Sequence, residues 1–314
     1  MNQRIYYCRP LLAISLLFII IALSSLQSCN NDSNKSNKIE IITNAMDFQM
    51  ADEIPSGWNT FHYINQSSET HFFVIEKYPE GKTLKDGHEE LIPAFQKGMD
   101  MLNANKPENA QAEFGKIPEW AFNIVYTGGS GMVSPGQSSD VTVKLDPGYY
   151  VLECYVKNKD GIFHSMMGMT KELTVTDKKS DNEELFADVS ISISSTDGII
   201  IPDKIKKGET IFEVSFKDQK AYENFVGHDV NLVRLTNESD IEELENWMNW
   251  MDPKGLINPE PAGFTFLGGV NDMPAGSIGF FSADLTPGNY VLVSEVPDSS
   301  EKGLLKTFTV SDLE

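Results

Sequence analysis

Positive charge is scarce in this sequence, and its scarcity excludes one class of partner. The 314 residues include 25 Lys and Arg against 46 Asp and Glu, which gives a formal net charge of −21. A protein that binds a phosphate backbone needs a basic patch on its surface. The composition therefore argues against nucleic acid as a partner.

Cysteine is also scarce, since the chain has only 3 Cys, too few for a scaffold held by disulfides. The 23 Gly follow no Gly-X-Y period, which excludes a collagen-like chain. The 18 Phe, 10 Tyr and 4 Trp are too many for a disordered chain. What remains is a folded protein, and its length favours two domains at about 100–200 residues each.

The motifs of common enzyme classes are missing as well. The sequence has no GxSxG, no HExxH, no P-loop and no GxGxxG between a strand and a helix. Paired carboxylates carry no signal in so acidic a chain. We therefore predict that the protein is not an enzyme.

An apolar run lies near the N-terminus, from Leu11 to Leu23, and Arg4 and Arg9 precede it. At about 13 residues it is too short to cross a bilayer and is typical of a secretory signal. The segment Leu26–Cys29 that follows is similar to the lipobox of bacterial lipoproteins. An ordinary signal peptide with a chance cysteine is the alternative.

The lipobox resemblance implies an anchored protein. Residues 1–28 would be a signal peptide, Cys29 would carry the lipid, and residues 29–39 would form a flexible tether. This arrangement predicts attachment to a membrane of the cell envelope, on its periplasmic or cell-surface side.

The rest of the chain contains one pattern twice. The stretch from Tyr126 to Val156 matches the stretch from Phe266 to Val296 at a constant offset. Upstream, each copy has a strand that starts near a histidine (His71 and His228), followed by a helical stretch. We predict a first domain over residues 40–176, a charged linker over 177–189 and a second domain over 190–314.

Within each copy, short segments rich in Val, Ile, Phe, Tyr and Thr alternate with Pro/Gly turns. This pattern favours an all-β fold, an antiparallel sandwich or barrel with one helical insertion per copy. The helical stretches are expected near residues 87–103 and 240–251, where apolar side chains recur at helical spacing.

One group of residues in the first copy has side chains that could bind a metal ion. Cys154, His164 and Met169 lie in a single loop between two strands, and His71 opens an earlier strand. Two imidazoles, a thiolate and a weak thioether match a blue-copper ligand set, because nitrogen and soft sulfur suit both copper oxidation states. A cysteine at the end of a strand is also ordinary core packing, and that alternative stays open.

The segment from Pro147 to Met169 resembles the C-terminal copper loop of the cupredoxins, the family of plastocyanin and azurin. The segment from Asn65 to Thr83 resembles the N-terminal ligand segment of that family. The resemblance covers residues 40–175 well and residues 190–310 at the level of the fold. It implies two tandem Greek-key β-sandwich (cupredoxin-like) domains.

The same resemblance implies one copper ion per chain, held by His71, Cys154 and His164 with Met169 as the axial ligand. Met166 and Met167 are further candidates for the axial position. The sequence departs from the family in its long loop, since nine residues separate the cysteine from His164. A hairpin with a turn at residues 158–161 would bring the loop ends together.

A second departure is Phe72, which occupies a place where many family members have asparagine. In the second copy, Ser294 stands where Cys154 stands in the first, and the following loop is shorter. One imidazole, His228, does not make a copper site. We therefore predict that the second domain binds no metal.

These features lead to three hypotheses. The first is a lipid-anchored copper protein that transfers electrons, with a basic redox partner attracted by its acidic surface. The second is a metal-free module of two β-sandwiches that serves binding or assembly at the cell envelope. The third is copper storage or delivery through the same ligands.

Overall fold

The computed structural model describes Met1, residues 37–202 and residues 204–312. Apart from Met1, the predicted signal peptide and Cys29, the predicted lipid site, lie outside the described residues. Of the predicted tether, residues 38 and 39 belong to the first strand. In the described part of the chain, no helix has the length and apolarity needed to cross a membrane.

The first repeat contains strands β1–β7 and the helices inserted between β3 and β4. The strands are β1 (Lys38–Thr43), β2 (Glu53–Asn65), β3 (His71–Lys77), β4 (Val125–Val133), β5 (Ser138–Leu145), β6 (Gly148–Glu153) and β7 (Thr170–Lys179). The helices are α1 (Leu84–Asp86), α2 (Ile92–Asn103) and α3 (Pro107–Phe114), with a π turn at Gly87–Leu91 and a 3-10 turn at Glu119–Asn123.

The second repeat contains strands β8–β16 and one inserted helix, α4 (Ile241–Met248). Its strands are β8 (Val189–Ser194), β9 (Gly198–Ile200), β10 (Ile205–Lys206), β11 (Gly208–Phe216), β12 (Val230–Leu235), β13 (Phe264–Val270), β14 (Ile278–Leu285), β15 (Gly288–Val293) and β16 (Leu305–Ser311). The helical insertion predicted for each copy is confirmed.

Both repeats use the same strand order. In the first, β1–β2–β5 form one layer and β4–β3–β6–β7 the other. In the second, β8–β11–β14 and β13–β12–β15–β16 repeat this order. A chain that passes between two layers in this way is a Greek-key β-sandwich. The cupredoxin-like fold predicted from the sequence is confirmed.

The described strands pair mainly antiparallel, as the sequence pattern favours, and four of their pairings are parallel. Among these four, β1 runs parallel to β2 and β8 runs parallel to β11. Alternation of apolar and polar residues specifies which face of a strand is buried, and not the direction of its neighbour. The sequence pattern therefore did not contain this information.

The two repeats pack around an internal two-fold axis. Ser130 of β4 pairs with Val270 of β13, and Val141 of β5 pairs with Phe281 of β14. Each of these residues meets its own counterpart in the other repeat, as in the interface of a symmetric dimer. The pairing continues the sheets from one repeat into the other and covers strand edges that would otherwise be exposed.

The segment between the repeats is partly regular. Strand β7 continues through Lys179, three residues into the predicted linker. Beyond it, the side chain of Asn182 hydrogen-bonds the backbone of Asn37 at the start of the described chain. The proposed domain boundaries at residues 176 and 190 stay predictions.

An aromatic cluster joins the inserted helices of the first repeat to the second. Trp250, just after α4, lies edge-on to Phe95 and Phe114, with ring centroids 5.6 and 6.2 Å away. It also lies 5.7 Å from the ring of Phe163. Such pairs add about 0.5–1.5 kcal/mol each beyond the burial of their area. Phe163 directly precedes His164 in the chain, so this cluster holds the backbone next to that histidine.

Candidate metal centre

His71 is the first residue of β3, a strand held between β4 and β6. Every residue from His71 to Glu76 is buried, as expected for a strand covered on both faces. The pairing with β4 shifts register between His71 and Phe73. Such a bulge bends a strand and redirects its side chains.

Cys154 directly follows β6 and is fully buried. Its backbone N–H donates to the carbonyl of Met169 at 3.2 Å, which ties the two ends of the loop together. The backbone N–H groups of Phe72 and Val156 donate to its sulfur. We call the segment from Cys154 to Met169 the ligand loop.

The ligand loop folds back on itself as a hairpin. Lys157 bridges Phe163, and the N–H of Gly161 donates to the carbonyl of Asn158 at 2.9 Å. The N–H of His164 donates to the carbonyl of Val156 at 2.8 Å. The predicted hairpin extension with its turn at residues 158–161 is confirmed, and it returns the chain to the cysteine.

Met169 lies at the end of the loop. A 3-10 turn over Ser165–Met167 ends at Gly168, whose φ of +103° is a left-handed conformation that favours glycine. The N–H of Met169 then donates to the carbonyl of His164 at 2.9 Å. Met169 is fully buried, whereas Met166 and Met167 are 40% and 44% exposed. Met169 is therefore the thioether that belongs to the buried group.

These elements bring three donor atoms together. Nδ1 of His71 lies 3.8 Å from Sγ of Cys154, and Nδ1 of His164 lies 3.7 Å from the same sulfur. All three side chains are buried, and their donor atoms lie within 4.8 Å of one another. Among the described residues, no other group of three His, Cys, Asp or Glu side chains meets this distance.

Burial sets the protonation of these groups. Loss of solvation lowers the pKa of His71 to about 4, and loss of solvation together with the nearby His71 lowers the pKa of His164 to about 3. Both imidazoles are therefore neutral at pH 7 and have a lone pair for a metal. Burial raises the pKa of the Cys154 thiol to about 12. A bound cation would supply the positive charge that this buried sulfur needs to ionise.

The donor spacing fits a metal ion. Metal–nitrogen and metal–sulfur bonds of about 2.0 and 2.3 Å, set about 120° apart, separate the two donors by about 3.7 Å. The two observed nitrogen–sulfur distances, 3.8 and 3.7 Å, match that value. The Nε2 atoms of both histidines are buried without a hydrogen bond. One His-Cys-His-Met group is present, and it is consistent with a single type 1 copper site.

Glu69 was not identified from the sequence. Its Oε2 lies 2.9 Å from Nε2 of His164, although the two atoms are not aligned as a hydrogen bond. In metal sites, a carboxylate that accepts a hydrogen bond from the outer imidazole N–H orients the ring and increases its basicity, and Glu69 lies within reach of this nitrogen. Burial raises the pKa of Glu69. No sequence signal distinguished this residue from the many other acidic residues of the chain.

The second repeat contacts the backbone next to His71 and also the ligand loop. The Oδ1 of Asn258 accepts from the N–H of Thr70 at 3.0 Å, directly before His71. In the ligand loop, the carbonyl of Lys157 accepts from the N–H of Asn258 at 2.9 Å, and the N–H of Lys157 donates to Leu256 at 2.7 Å. The Nζ of Lys157 is buried and donates to the carbonyl of Trp250 at 2.8 Å. These contacts join sequence-distant segments, so no local pattern pointed to them.

The corresponding place in the second repeat differs. His228 occupies the register position of His71, but its ring nitrogens lie 2.8 Å from the Tyr222 hydroxyl and 3.2 Å from the carbonyl of Asp218. The hydroxyl of Ser294, which replaces the cysteine, donates to Asp229 at 2.6 Å. The imidazole of His228 and the hydroxyl of Ser294 are thus both engaged in hydrogen bonds within the second repeat.

Several solved structures that are similar to this chain are those of copper proteins. No protein-family model and no curated protein matches the sequence. Auracyanin of Roseiflexus castenholzii is 24% identical over 46% of this chain and 99% of its own, with a TM-score of 0.27. A Cu-containing nitrite reductase of Thermus scotoductus is 13% identical over 87% of this chain and 61% of its own, with a TM-score of 0.22.

A multicopper oxidase is 12% identical over 87% of this chain and 88% of its own, with a TM-score of 0.21. The strand order of this chain defines its fold class. The protein is thus a cupredoxin-like β-sandwich with two repeats and a buried His-Cys-His-Met group in the first.

Proposed function

We propose that this protein binds one copper ion at His71, Cys154, His164 and Met169 and uses it to transfer single electrons. The observation that carries the proposal is the convergence of three buried donor atoms within 4.8 Å. Bound copper supplies a one-electron couple between Cu(II) and Cu(I). The mixed nitrogen and sulfur donors suit both states.

The surrounding chain holds the donors in place. The hairpin fixes His164, the Cys154–Met169 backbone hydrogen bond closes the loop, and N–H groups from Phe72 and Val156 donate to the sulfur. Donors held by packing and hydrogen bonds move little when the charge of the site changes. A small movement favours fast electron transfer, which supports this function over copper storage.

The surface next to His164 supports contact with a partner. Ile162, Met166 and Met167 are exposed apolar side chains of the ligand loop. They lie within three residues of His164 in the chain and offer an apolar surface that a redox protein can cover. The net charge of −21 favours a basic partner and makes the encounter sensitive to salt.

We further propose that the protein is a carrier and not an enzyme, and that a lipid on Cys29 anchors it to a membrane of the cell envelope. The acidic composition argues against nucleic acid as a partner. Mass spectrometry of the protein from its native membrane tests the anchor. The expected result is a mature chain that begins at a lipid-modified Cys29, and an unmodified cysteine would contradict it.

Addition of Cu(II) to the purified protein tests the copper proposal. We expect one copper per chain and an intense visible absorption from the thiolate. Cys154→Ser should abolish this band, whereas Met167→Leu, on the exposed turn, should leave it unchanged. A protein that stays colourless and metal-free would favour the metal-free binding module, and slow, incomplete reduction of the loaded protein would favour copper storage.

A further inference from the structure

A cavity lies next to the ligand loop, and residues of both repeats line it. Its volume is about 70 Å³, which gives room for roughly five water molecules at 10–15 Å³ each. Five waters take up about 150 Å³ in the liquid, close to the size of an apolar cavity that holds one benzene molecule. The cavity is therefore large enough for a single six-membered ring.

Most of the cavity wall is apolar and aromatic. Helix α2 contributes Ile92 and Phe95, and the second repeat contributes Phe225, Val226 and Trp250. The rings of Trp250 and Phe95 meet edge to face, with centroids 5.6 Å apart. The indole N–H of Trp250 donates to a backbone carbonyl at 2.8 Å, so this ring presents only apolar surface to the cavity. A wall of this kind holds water weakly and favours an apolar ring in its place.

The polar part of the wall consists mainly of carboxyl groups. They belong to Glu76 in β3, Glu153 in β6 and Asp272 after β13. Glu76 is 4% exposed and Asp272 is 6% exposed, yet Oε2 of Glu76 and Oδ1 of Asp272 have no hydrogen-bond partner among the described residues. Buried polar atoms without a partner are rare, because each carries a desolvation cost. These two oxygens indicate that the cavity accommodates a group that can hydrogen-bond to them.

The carboxyl groups argue against a charged ligand. None of the described lining residues is Lys, Arg or His, so an anion would have no counter-charge. The three described carboxyl groups do not bring their oxygens within 4.8 Å of one another, as the ligands of one metal ion would. Burial and the nearby Glu153 raise the pKa of Glu76, and burial and Asp229 raise the pKa of Asp272. Both shifts disfavour the ionised carboxylate that an ammonium group needs as its partner.

A hydroxyl group meets these requirements. It donates one hydrogen bond and accepts others, so it can pair with a carboxyl group in either protonation state. It carries no charge into the cavity and therefore needs no counter-ion.

We propose that this cavity binds one small, uncharged aromatic molecule that carries a hydroxyl group. The ring packs among Phe95, Phe163 and Trp250, where edge-to-face contacts are available. The hydroxyl pairs with one of the two unpartnered oxygens, on Glu76 or on Asp272. This binding does not depend on copper.

Calorimetric titrations of the wild-type protein with phenol and with toluene test the site. The two molecules have nearly the same shape, but only phenol has a hydroxyl. We expect one phenol per chain and at least tenfold weaker binding of toluene, because toluene leaves the buried carboxyl oxygens unpaired. Benzylamine and benzoate carry the disfavoured charges and should bind more weakly than phenol. Cys154→Ser should retain phenol binding, which separates this site from the copper site.

Variants locate the binding. Glu76→Met and Asp272→Leu each remove one carboxyl group, and one of the two should weaken phenol binding at least tenfold without weakening toluene binding. Val226→Phe should fill the cavity and abolish the binding of both molecules. Ile200→Phe is the matched control, because Ile200 is 53% exposed and lies outside the cavity wall. Circular dichroism of each variant checks that it has folded.

Absence of saturable phenol binding in the wild type would overturn the proposal. Equal affinity for phenol and toluene would overturn it as well, because the carboxyl groups would then play no part. Tighter binding of benzylamine than of phenol would identify a site for a cationic amine instead. Unchanged phenol binding in folded Val226→Phe would place the ligand elsewhere. The comparison of the four molecules uses the wild type, so it decides even where a variant does not fold.

Discussion

Asn258 of the second repeat hydrogen-bonds Thr70 of the first through both ends of its side-chain amide. Its Oδ1 accepts from the Thr70 N–H at 3.0 Å, and its Nδ2 lies 3.4 Å from the Thr70 carbonyl. The same Nδ2 lies 3.4 Å from the carbonyl of Lys157. A side chain from the second repeat thus links the backbone next to His71 to the ligand loop.

We expect Asn258→Ala to lower the free energy of unfolding by about 1–3 kcal/mol, because it leaves buried backbone groups without a partner. It should also weaken copper binding, since it frees the His71 segment from the ligand loop. Urea unfolding and a copper titration measure the two effects. Asn246→Ala, on the exposed face of α4, is the control and should change neither quantity.

The choice of axial ligand gives a second prediction. Met169→Leu keeps the buried volume but removes the thioether, so we expect a changed reduction potential with one copper still bound. Met167→Leu should leave the potential at its wild-type value, because this side chain is exposed. Voltammetry of the copper-loaded proteins measures both. The reverse order of effects would assign the axial role to Met167.

Lys157 gives a prediction about pH. Burial lowers its pKa from the ordinary value of 10.5 to about 7. Between these two values the unfolded chain binds more protons, so this residue makes the folded state more stable as the pH rises, by up to about 1.4 kcal/mol per pH unit. Its contribution is complete above pH 10.5 and is lost as the pH falls through 7.

Lys157→Met should therefore reduce the rise in stability between pH 7 and pH 9, as urea unfolding at several pH values would measure. Lys159→Met is the control, since that side chain is 79% exposed. Parallel curves for wild type and Lys157→Met would contradict the prediction.

The second repeat should not gain a copper site from one substitution. Ser294→Cys restores a thiol at the position of Cys154, but His228 stays hydrogen-bonded to Tyr222, and the repeat lacks the second histidine. We expect the stoichiometry to remain at one copper per chain, measured by elemental analysis of the folded variant. A ratio of two would disprove this account of the second repeat.

The sequence predicted those features of the site that depend on residue type and on neighbouring residues in the chain. The donor types, the strand start at His71 and the hairpin turn after Asn158 follow from residue order and turn residues. The sequence did not predict Glu69, Asn258 or the cavity carboxylates. One acidic residue among 46 has no distinguishing pattern until the fold gives it a neighbour.

The sequence by itself determined the repeat, the β-sandwich class and the identity of the candidate ligands, because these depend on periodicity and residue type. The tertiary structure decided that Ser130 pairs with Val270 across an internal two-fold axis, and that a loop of the second repeat supports the ligands of the first. The physical reason is that alternation fixes which face of a strand is buried, whereas its partner is chosen by packing over the whole chain.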